Sequence, residues 1–244
     1  MKPAYWRDGG VRIAYDADLL TDVLPALFEV NHWHAQGRLV GTAQSGRGTT
    51  VFVRAATKQG EQDWALRHFR RGSWLARWIP DAYLWWGLNN TRAWREWHLL
   101  LRLQELNLPA PVPVACQVAR RGFFYHADLV TRRINGARTL SDGLLEAALP
   151  ETGWRSVGTM LRRFHDASVY HHDLTSDNIL RSAGGSLYLL DFDRARLRPD
   201  GAWKRANLAR LKRSLDKRKR LGRVKHFDDS DWQALLAGYA AGVS

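Results

Sequence analysis

The 244-residue sequence contains one cysteine, Cys116, and lacks any long apolar run. A single cysteine excludes an internal disulfide and a zinc site built from several cysteines, and it suits a reducing compartment. The N-terminal residues Met1–Asp8 contain no apolar h-region, and no uncharged apolar run approaches the roughly 20 residues that a membrane-spanning helix requires. We therefore expect a cytoplasmic protein without a secretion signal or a membrane span.

Acidic residues are also scarce, since 24 acidic side chains stand against 37 basic ones, for a formal net charge of +13. Such an excess predicts an anionic partner, although charge alone does not choose among nucleic acid, lipid headgroups and a phosphorylated glycan. The excess is concentrated between Lys204 and Lys225, where eleven Lys or Arg residues accompany one acid, Asp216. On a helix here, Lys204, Arg210 and Arg213 are candidates for binding an anionic substrate, and a solvated charged face is the alternative.

The order of predicted elements favours two lobes around a cleft. Residues 1–37 are interpreted as an N-terminal cover with a short helix around Leu19–Val30, interrupted by Pro25. Residues 38–134 have mainly strand patterns, and residues 135–244 have mainly helical ones, so they are predicted to form a β-rich N-lobe and a reduced C-lobe.

The stretch from Tyr170 to Asn178 has the strongest chemical signature. Asn178 follows Asp173 by five residues, and Asp191 follows Asn178 by thirteen. This is the kinase spacing, in which the first Asp accepts the proton of the attacking hydroxyl while the Asn and the second Asp bind metal. Two short apolar strands joined by a Gly-rich turn are predicted between Asn178 and Asp191, which brings both residues to one end of a hairpin. One of His171 and His172 is expected to make a structural hydrogen bond to backbone.

Candidate nucleotide-binding residues precede this stretch. A hairpin with Gly46, Arg47, Gly48 and Thr49 at its tip is a candidate to close over phosphates, because glycine lets backbone amides approach an anion. A Gly-Xaa-Gly turn alone is more often only a turn, and its position next to the other signals favours the binding role. In the following strand, Ala65-Leu66-Arg67 stands where kinases have Ala-Xaa-Lys, so Arg67 is predicted to bind phosphate. Its expected partner is Glu96, on a helix predicted from about Asn90 to Asn107.

Only fifty-one residues follow Asp193. A protein kinase requires a long activation segment, an Ala-Pro-Glu motif and a large helical subdomain to hold a peptide. None of these is found, so the acceptor is expected to be a molecule other than a protein. Asp193 stands where Asp-Phe-Gly has its glycine, so it is a candidate second carboxylate ligand for the metal.

Several longer motifs can be compared with known families: Gly46–Thr50, Ala65–Gly72, Arg95–Trp97, Leu108–Pro111, His172–Leu174, Asn178–Leu180, Asp191–Asp193 and Asn207–Leu215. Together they resemble the 3-deoxy-D-manno-octulosonic acid (Kdo) kinases of the lipopolysaccharide kinase family. The resemblance runs from about residue 38 to the C-terminus. The Arg-His-Phe-Arg-Arg-Gly and Asn-Leu-Ala-Arg-Leu-Lys-Arg-Ser runs are not general kinase features, which makes the resemblance specific.

The resemblance implies an α+β, protein-kinase-like two-lobed fold and an enzyme that uses ATP and Mg²⁺. The implied reaction is phosphorylation of the 4-hydroxyl of Kdo on a Kdo-lipid A precursor, at the cytoplasmic side of the inner membrane. Peripheral contact with that anionic surface is expected. Trp74–Trp86 is a candidate for it, because Trp beside Arg suits a headgroup layer, although packing inside the small lobe remains an alternative. No nucleic-acid partner is expected.

Two alternative functions remain open. A heptose kinase of the same pathway would use the same catalytic residues on another sugar. A noncatalytic protein with a kinase-like shell would use its basic helix to bind nucleic acid, although the complete set of Asp173, Asn178 and Asp191 argues against it.

Overall fold

A computed structural model describes residues 1–45, 48–69 and 83–242. The chain divides into two compact units. The first comprises Met1–Leu101 and Pro111–Arg133, and the second comprises Arg102–Ala110 and Ile134–Ser244. The overall composition is α+β, with a β-rich first unit and a mainly helical second unit.

An antiparallel sheet of eight strands forms the described part of the first unit. Its order is β1-β2-β7-β8-β5-β4-β3, and β6 pairs with β8. The strand bounds are β1 Pro3–Asp8, β2 Val11–Asp16, β3 Leu39–Ser45, β4 Gly48–Thr57, β5 Gly60–His68, β6 Tyr83–Leu84, β7 Pro113–Arg121 and β8 Phe124–Arg132. One face buries alternate residues of neighbouring strands, as a half-solvated antiparallel sheet requires. Core members on this face include Ile13, Val53, Trp64 and Val130.

The N-terminal residues differ from expectation. Residues 1–37, interpreted as a cover, contribute β1 and β2 to the sheet. The predicted helix over Leu19–Val30 is wrong: Pro25–Phe28 is a 3₁₀-helix, and helix α1 spans Val30–Ala35. Pro25 has no backbone N–H and fits only the first turn of a helix, so the chain turns there and does not continue a longer one.

Helix α2 spans Arg92–Glu105, within the predicted range. Trp94, Trp97, Leu100 and Leu103 recur at three- and four-residue spacing and are all buried. This periodicity gives the helix one apolar face. Glu96 also lies in the interior, with 3% of its surface exposed.

Helices dominate the second unit. They are α3 Leu140–Glu146, α4 Glu151–Asp166, α5 Trp203–Arg220 and α6 Asp229–Ala241. Short strands connect them: β9 Arg138–Thr139, β10 Val169–Tyr170, β11 Ile179–Arg181, β12 Leu187–Leu189 and β13 Arg196–Leu197. A 3₁₀-helix spans Ser176–Asn178.

Helices α4 and α6 meet at two glycines. A methyl group on Gly158 would collide with the Leu235 carbonyl and the Tyr239 amide, and one on Gly238 would collide with the Arg155 backbone. Small residues at a crossing let two helix backbones approach closely. The two glycines therefore hold α6 against α4.

Cys116 lies in β7, where it pairs with Ala14 of β2 and Leu129 of β8. Its thiol is free and fully buried, and burial raises its pKa well above the usual range. None of the helices in the described ranges is both long and apolar enough to cross a membrane.

Candidate active site

Asp173 lies in a loop that follows α4 and β10. Trp154, Val157, Leu161 and Phe164 make the buried face of α4, which explains why this sequence folds as a helix beneath the loop. The Asp173 side chain itself is half exposed, at 51%. A group that must meet an incoming hydroxyl has to be accessible in this way.

The predicted spacing does bring Asp173, Asn178 and Asp191 together. The Asn178 side-chain amide donates to the Asp173 carbonyl over 2.8 Å. The predicted hairpin is present, since β11 and β12 pair antiparallel with Ile179 opposite Leu189. At its open end the Leu190 amide donates to the Asn178 carbonyl over 2.8 Å, so Asp191 begins directly beside Asn178.

Asp191 has a left-handed backbone conformation, with φ of 62°. A non-glycine residue with positive φ is uncommon, and such strain often accompanies function. The following Phe192 is 1% exposed and packs on Phe164, with ring centroids 5.8 Å apart. Buried packing of the next residue therefore fixes the direction in which Asp191 leaves the strand. Asp193 follows and is partly buried.

His171 makes the structural hydrogen bond expected of one histidine of the pair. Its Nε2 lies 2.8 Å from the Leu190 carbonyl, which can only accept, so Nε2 carries the proton. Desolvation by burial lowers the pKa of His171. The neutral ring thus ties the Asp173 loop to the strand end that precedes Asp191. His172 is more exposed and does not share this role.

Asn207 of α5 provides a second support that sequence reasoning missed. It is buried, and its side-chain amide donates to the His171 carbonyl over 2.7 Å. Its Oδ1 also accepts from His165 Nε2 at 3.4 Å. A polar side chain on the apolar side of a predicted amphipathic helix was the available signal, because a buried amide requires partners.

His165 is buried below the same loop. Burial is the main reason that the pKa of His165 falls to about 4, and the Asn207 hydrogen bond opposes it. Its Nδ1 lies 2.8 Å from the Tyr239 hydroxyl. The ring is therefore a neutral structural link between α4, α5 and α6 at neutral pH.

Two ion pairs join α5 to the Asp173 loop, and neither of them was predicted from the sequence. Arg210 donates to Asp173 Oδ1 through Nη2 over 2.6 Å and through Nε over 3.2 Å. Arg218 pairs with Asp177. Spacing along the chain gives no signal for such pairs, because α5 and the loop are about forty residues apart.

In the first unit, Arg67 of β5 and Glu96 of α2 form the predicted ion pair. The Arg67 guanidinium also lies over the Phe69 ring, 4.7 Å from its centroid. Glu96 is nearly inaccessible, whereas 27% of the Arg67 side chain is exposed. Arg67 is thus held by a buried carboxylate while about a quarter of its side chain stays exposed.

Of the predicted phosphate-covering turn and membrane segment, only part lies within the described residues. Gly46 and Arg47 lie outside the described residues, as do Trp74 and the rest of 70–82. Gly48 and Thr49 begin β4, in the predicted hairpin with β3.

The basic candidates on α5 separate into two groups. Arg210 and Arg213 line a cavity that includes Asp173. Lys204 does not line it; its ammonium group lies 3.1 Å from Asp200 and 3.9 Å from Asp166.

Within the described ranges, no group of three or more His, Cys, Asp or Glu residues is arranged to hold a metal ion. The candidate donors are instead the oxygens of Asn178, Asp191 and Asp193. Magnesium prefers oxygen ligands and is usually held by one or two carboxylates together with substrate phosphates and water. Because Asn178 commits its amide nitrogen to Asp173, its oxygen is the atom available as a ligand. The donor set fits magnesium.

Comparison with known proteins gives consistent matches. The model of the lipopolysaccharide kinase (Kdo/WaaP) family matches residues 30–239. A protein of Photobacterium profundum named 3-deoxy-D-manno-octulosonic acid kinase is 40% identical over 228 residues, which cover 93% of this chain and 94% of that protein. Proteins of the same name from Vibrio vulnificus (strain YJ016) and Haemophilus influenzae (strain PittEE) are 38% and 37% identical, covering 95% and 87% of this chain and 95% and 89% of theirs.

These matches span most of the chain and include Asp173, Asn178 and Asp191, which stand at kinase spacing. The chain therefore belongs to the lipopolysaccharide kinase (Kdo/WaaP) family.

Proposed function

We propose that this kinase transfers the terminal phosphoryl group of ATP to the 4-hydroxyl of Kdo on a Kdo-lipid A precursor, in synthesis of the lipopolysaccharide core. The names of the relatives support this acceptor. The observation that carries the chemistry is a pair of hydrogen bonds: one joins Asn178 to the Asp173 main chain, and the other joins the strand end before Asp191 to Asn178.

Asp173 is the proposed general base. It accepts the proton of the acceptor hydroxyl as that oxygen attacks phosphorus. Two features support the role: the carboxylate is half exposed, and its main chain is held by Asn178. Arg210, bonded to one carboxylate oxygen, orients the group and leaves the other oxygen for the acceptor.

Asn178, Asp191 and Asp193 are the proposed magnesium ligands. Magnesium bound there would neutralise charge on the nucleotide phosphates. The protein's part is to hold the donors in place: the Asp173 carbonyl fixes the Asn178 side chain, and buried Phe192 fixes the chain between the two aspartates.

Arg67, paired with Glu96, is the proposed cation for the ATP phosphates, and the turn containing Gly46, Arg47, Gly48 and Thr49 is proposed to cover them. The buried carboxylate holds one side of the guanidinium while part of the group remains exposed. Such restraint reduces the ordering that phosphate binding would otherwise require. The division into a β-rich and a helical unit supports a protein-kinase-like, two-lobed fold.

A lipid-linked acceptor requires access to a membrane surface, so we infer peripheral binding at the cytoplasmic side of the inner membrane. Leu84, Trp86 and Phe123 support this inference, because their side chains are 48%, 75% and 82% exposed. They lie on neighbouring segments, since the Trp85 amide donates to the Phe123 carbonyl over 2.9 Å, and we call the three the exposed patch. Arg120 stacks on the adjoining Trp85, with its guanidinium 5.1 Å from the ring centroid. Aromatic and cationic side chains together suit an anionic headgroup layer.

The testing experiment incubates Kdo-lipid A precursor, ATP and magnesium with wild-type protein or with Asp173→Asn. Tandem mass spectrometry should locate one added phosphoryl group on Kdo with the wild type. The initial rate should fall by about 10²–10⁴ in the variant, because removing a general base typically costs that much. Asp142→Asn, which changes an exposed carboxylate on α3, is the matched control.

If the wild type binds ATP and leaves the Kdo precursor unmodified, the proposed acceptor is wrong, and heptose-bearing cores are the next substrates. If Asp173→Asn retains the wild-type rate, the proposed base is wrong.

A further inference from the structure

A cavity of about 430 Å³ lies between α5, the turn that follows it and the Asp173 loop. We call it the α5 cavity. Its volume falls in the range of small-ligand sites, roughly 300–1,000 Å³. Its lining residues are Asp173, Thr175, Asp177, Arg210, Arg213, Ser214, Lys217, Arg218, Leu221 and Arg223.

The register of α5 explains the lining. Arg210, Arg213, Lys217 and Leu221 are spaced by three or four residues, which places them along one face of the helix. Leu208, Leu211 and Leu215 occupy the opposite, buried face. Arg223 joins the group because its backbone amide donates to the Arg218 carbonyl over 2.9 Å, which turns the chain back.

The charges around the cavity are unequal, with five cations and two carboxylates. Arg210 pairs with Asp173, and Arg218 pairs with Asp177. The other three cations, Arg213, Lys217 and Arg223, form no ion pair with any residue that the structure describes. Three uncompensated positive charges therefore face one concave surface that also contains the proposed base.

Cations gathered in a concavity focus positive potential and attract anions. Arginine binds carboxylate and phosphate oxygens through paired N–H groups, and lysine adds a point charge. The nearby Ser214 hydroxyl and Thr175 are further polar groups of the lining. The chemistry of the lining is therefore specific for an anionic group.

We propose that the α5 cavity binds an anionic group of the acceptor and thereby holds the acceptor hydroxyl at Asp173. This inference rests on the proposed function. The ligand group is a carboxylate or a phosphate, supplied either by the Kdo acid group or by a phosphate of the lipid A precursor. Arg213, Lys217 and Arg223 are its binding residues.

The test compares Arg213→Gln/Lys217→Gln with Arg205→Gln/Arg220→Gln. Both double variants remove two exposed positive charges from α5, and only the first pair lines the cavity. Steady-state kinetics with Kdo-lipid A precursor should show an acceptor KM raised at least about tenfold in the cavity variant, because a charge-assisted hydrogen bond contributes about an order of magnitude in affinity. The KM for ATP should stay within about twofold. The control should match the wild type in both constants.

Equilibrium binding of the same precursor, measured without ATP, separates this inference from the proposed reaction. Weaker binding to the cavity variant than to the control supports the cavity even where the wild type shows no turnover. Equal binding and equal acceptor KM for the two double variants would overturn it.

A second acceptor, the precursor after enzymatic removal of its lipid A phosphates, identifies the source of the anion. If the defect of the cavity variant disappears with this acceptor, the lipid phosphates occupy the cavity. If the defect persists, the Kdo carboxylate does. Either pattern supports anion binding, whereas a defect shared by the control indicates general electrostatic attraction and contradicts a defined cavity site.

Discussion

At the scale of single residues, the ion pair between Arg67 and the buried Glu96 should contribute measurably to the free energy of unfolding. Arg67→Ala should lower the free energy of unfolding by about 2 kcal/mol, less than the roughly 3–5 kcal/mol for a fully buried pair, because Arg67 is partly exposed. The double variant Arg67→Ala/Glu96→Gln should regain most of the loss, since the buried carboxylate is gone. Urea denaturation of the three proteins measures this. Additive losses in the double variant would contradict the buried-charge explanation.

His165 should make stability depend on pH. Its pKa is about 4 in the folded protein, against 6.5 for an ordinary histidine, mainly because burial disfavours the charged ring. The unfolded chain therefore binds this proton first on acidification, so the stabilisation is complete above pH 6.5 and is lost as the pH falls towards 4. The whole effect is about 3 kcal/mol.

The measurement is the difference in unfolding free energy between pH 7 and pH 4.5. In His165→Gln this difference should be smaller than in the wild type, although buried His171 retains part of it. Identical pH dependence in the two proteins would exclude His165 as the source.

Residue identity predicted some contacts and could not predict others. The Asp, Asn and Asp spacing follows a pattern that one hairpin creates. The Arg67–Glu96 pair follows the kinase pattern, in which a strand cation pairs with a helix glutamate. Arg218 with Asp177 and Asn207 with His171 depend on how α5 packs against a loop. Basic side chains occur on every side of α5, and the sequence alone does not tell which of them meets a carboxylate.

At the scale of elements, the two glycines where α4 and α6 cross should not tolerate even a methyl side chain. Gly158→Ala or Gly238→Ala should each cost about 1–3 kcal/mol, because the added methyl meets backbone atoms and the helices must separate. Thermal unfolding should show a melting temperature lower by at least about 2 °C.

Gly143→Ala in α3 is the matched control. Nothing lies within 4 Å of its added methyl, so the change should stabilise the protein by about 0.5–1 kcal/mol through helix propensity. Equal changes in melting temperature for Gly143→Ala and Gly158→Ala would show that helix propensity, and not the close approach of the two helices, determines the change in stability.

Element prediction succeeded where a periodic pattern was long or bounded by turn residues, as in α2, α4 and the hairpin β11–β12. It failed at the N-terminus. Gly9-Gly10 between two alternating runs is a hairpin signal, yet an isolated short hairpin is at best marginally stable. This hairpin joins the sheet through β2, which pairs with β7, far along the chain. Long-range pairing of this kind leaves little trace in local sequence.

At the scale of the whole molecule, the exposed patch of Leu84, Trp86 and Phe123 should contribute to membrane binding. Trp86→Ser/Phe123→Ser should weaken binding to phosphatidylglycerol vesicles at least about tenfold, because burying each large apolar side chain contributes about 1.5–3 kcal/mol. Flotation of the protein with vesicles measures the bound fraction.

Leu24→Ser is the control, since Leu24 is 62% exposed outside the patch. Vesicles of phosphatidylcholine alone separate apolar from charge-driven binding. Undiminished flotation of the double variant would assign membrane binding to other parts of the chain.

The reactivity of the buried Cys116 thiol reports on how often the folded sheet opens. The thiol belongs to a strand that is paired on both sides, and it is fully buried, so it reacts with a maleimide only after the packing around it opens. Each labelled molecule therefore records one opening of the first unit. A compound that binds the closed form slows labelling in proportion to its occupancy. With no second thiol to contribute background, mass spectrometry of the intact chain can rank nucleotides and inhibitors without any substrate, dye or engineered tag.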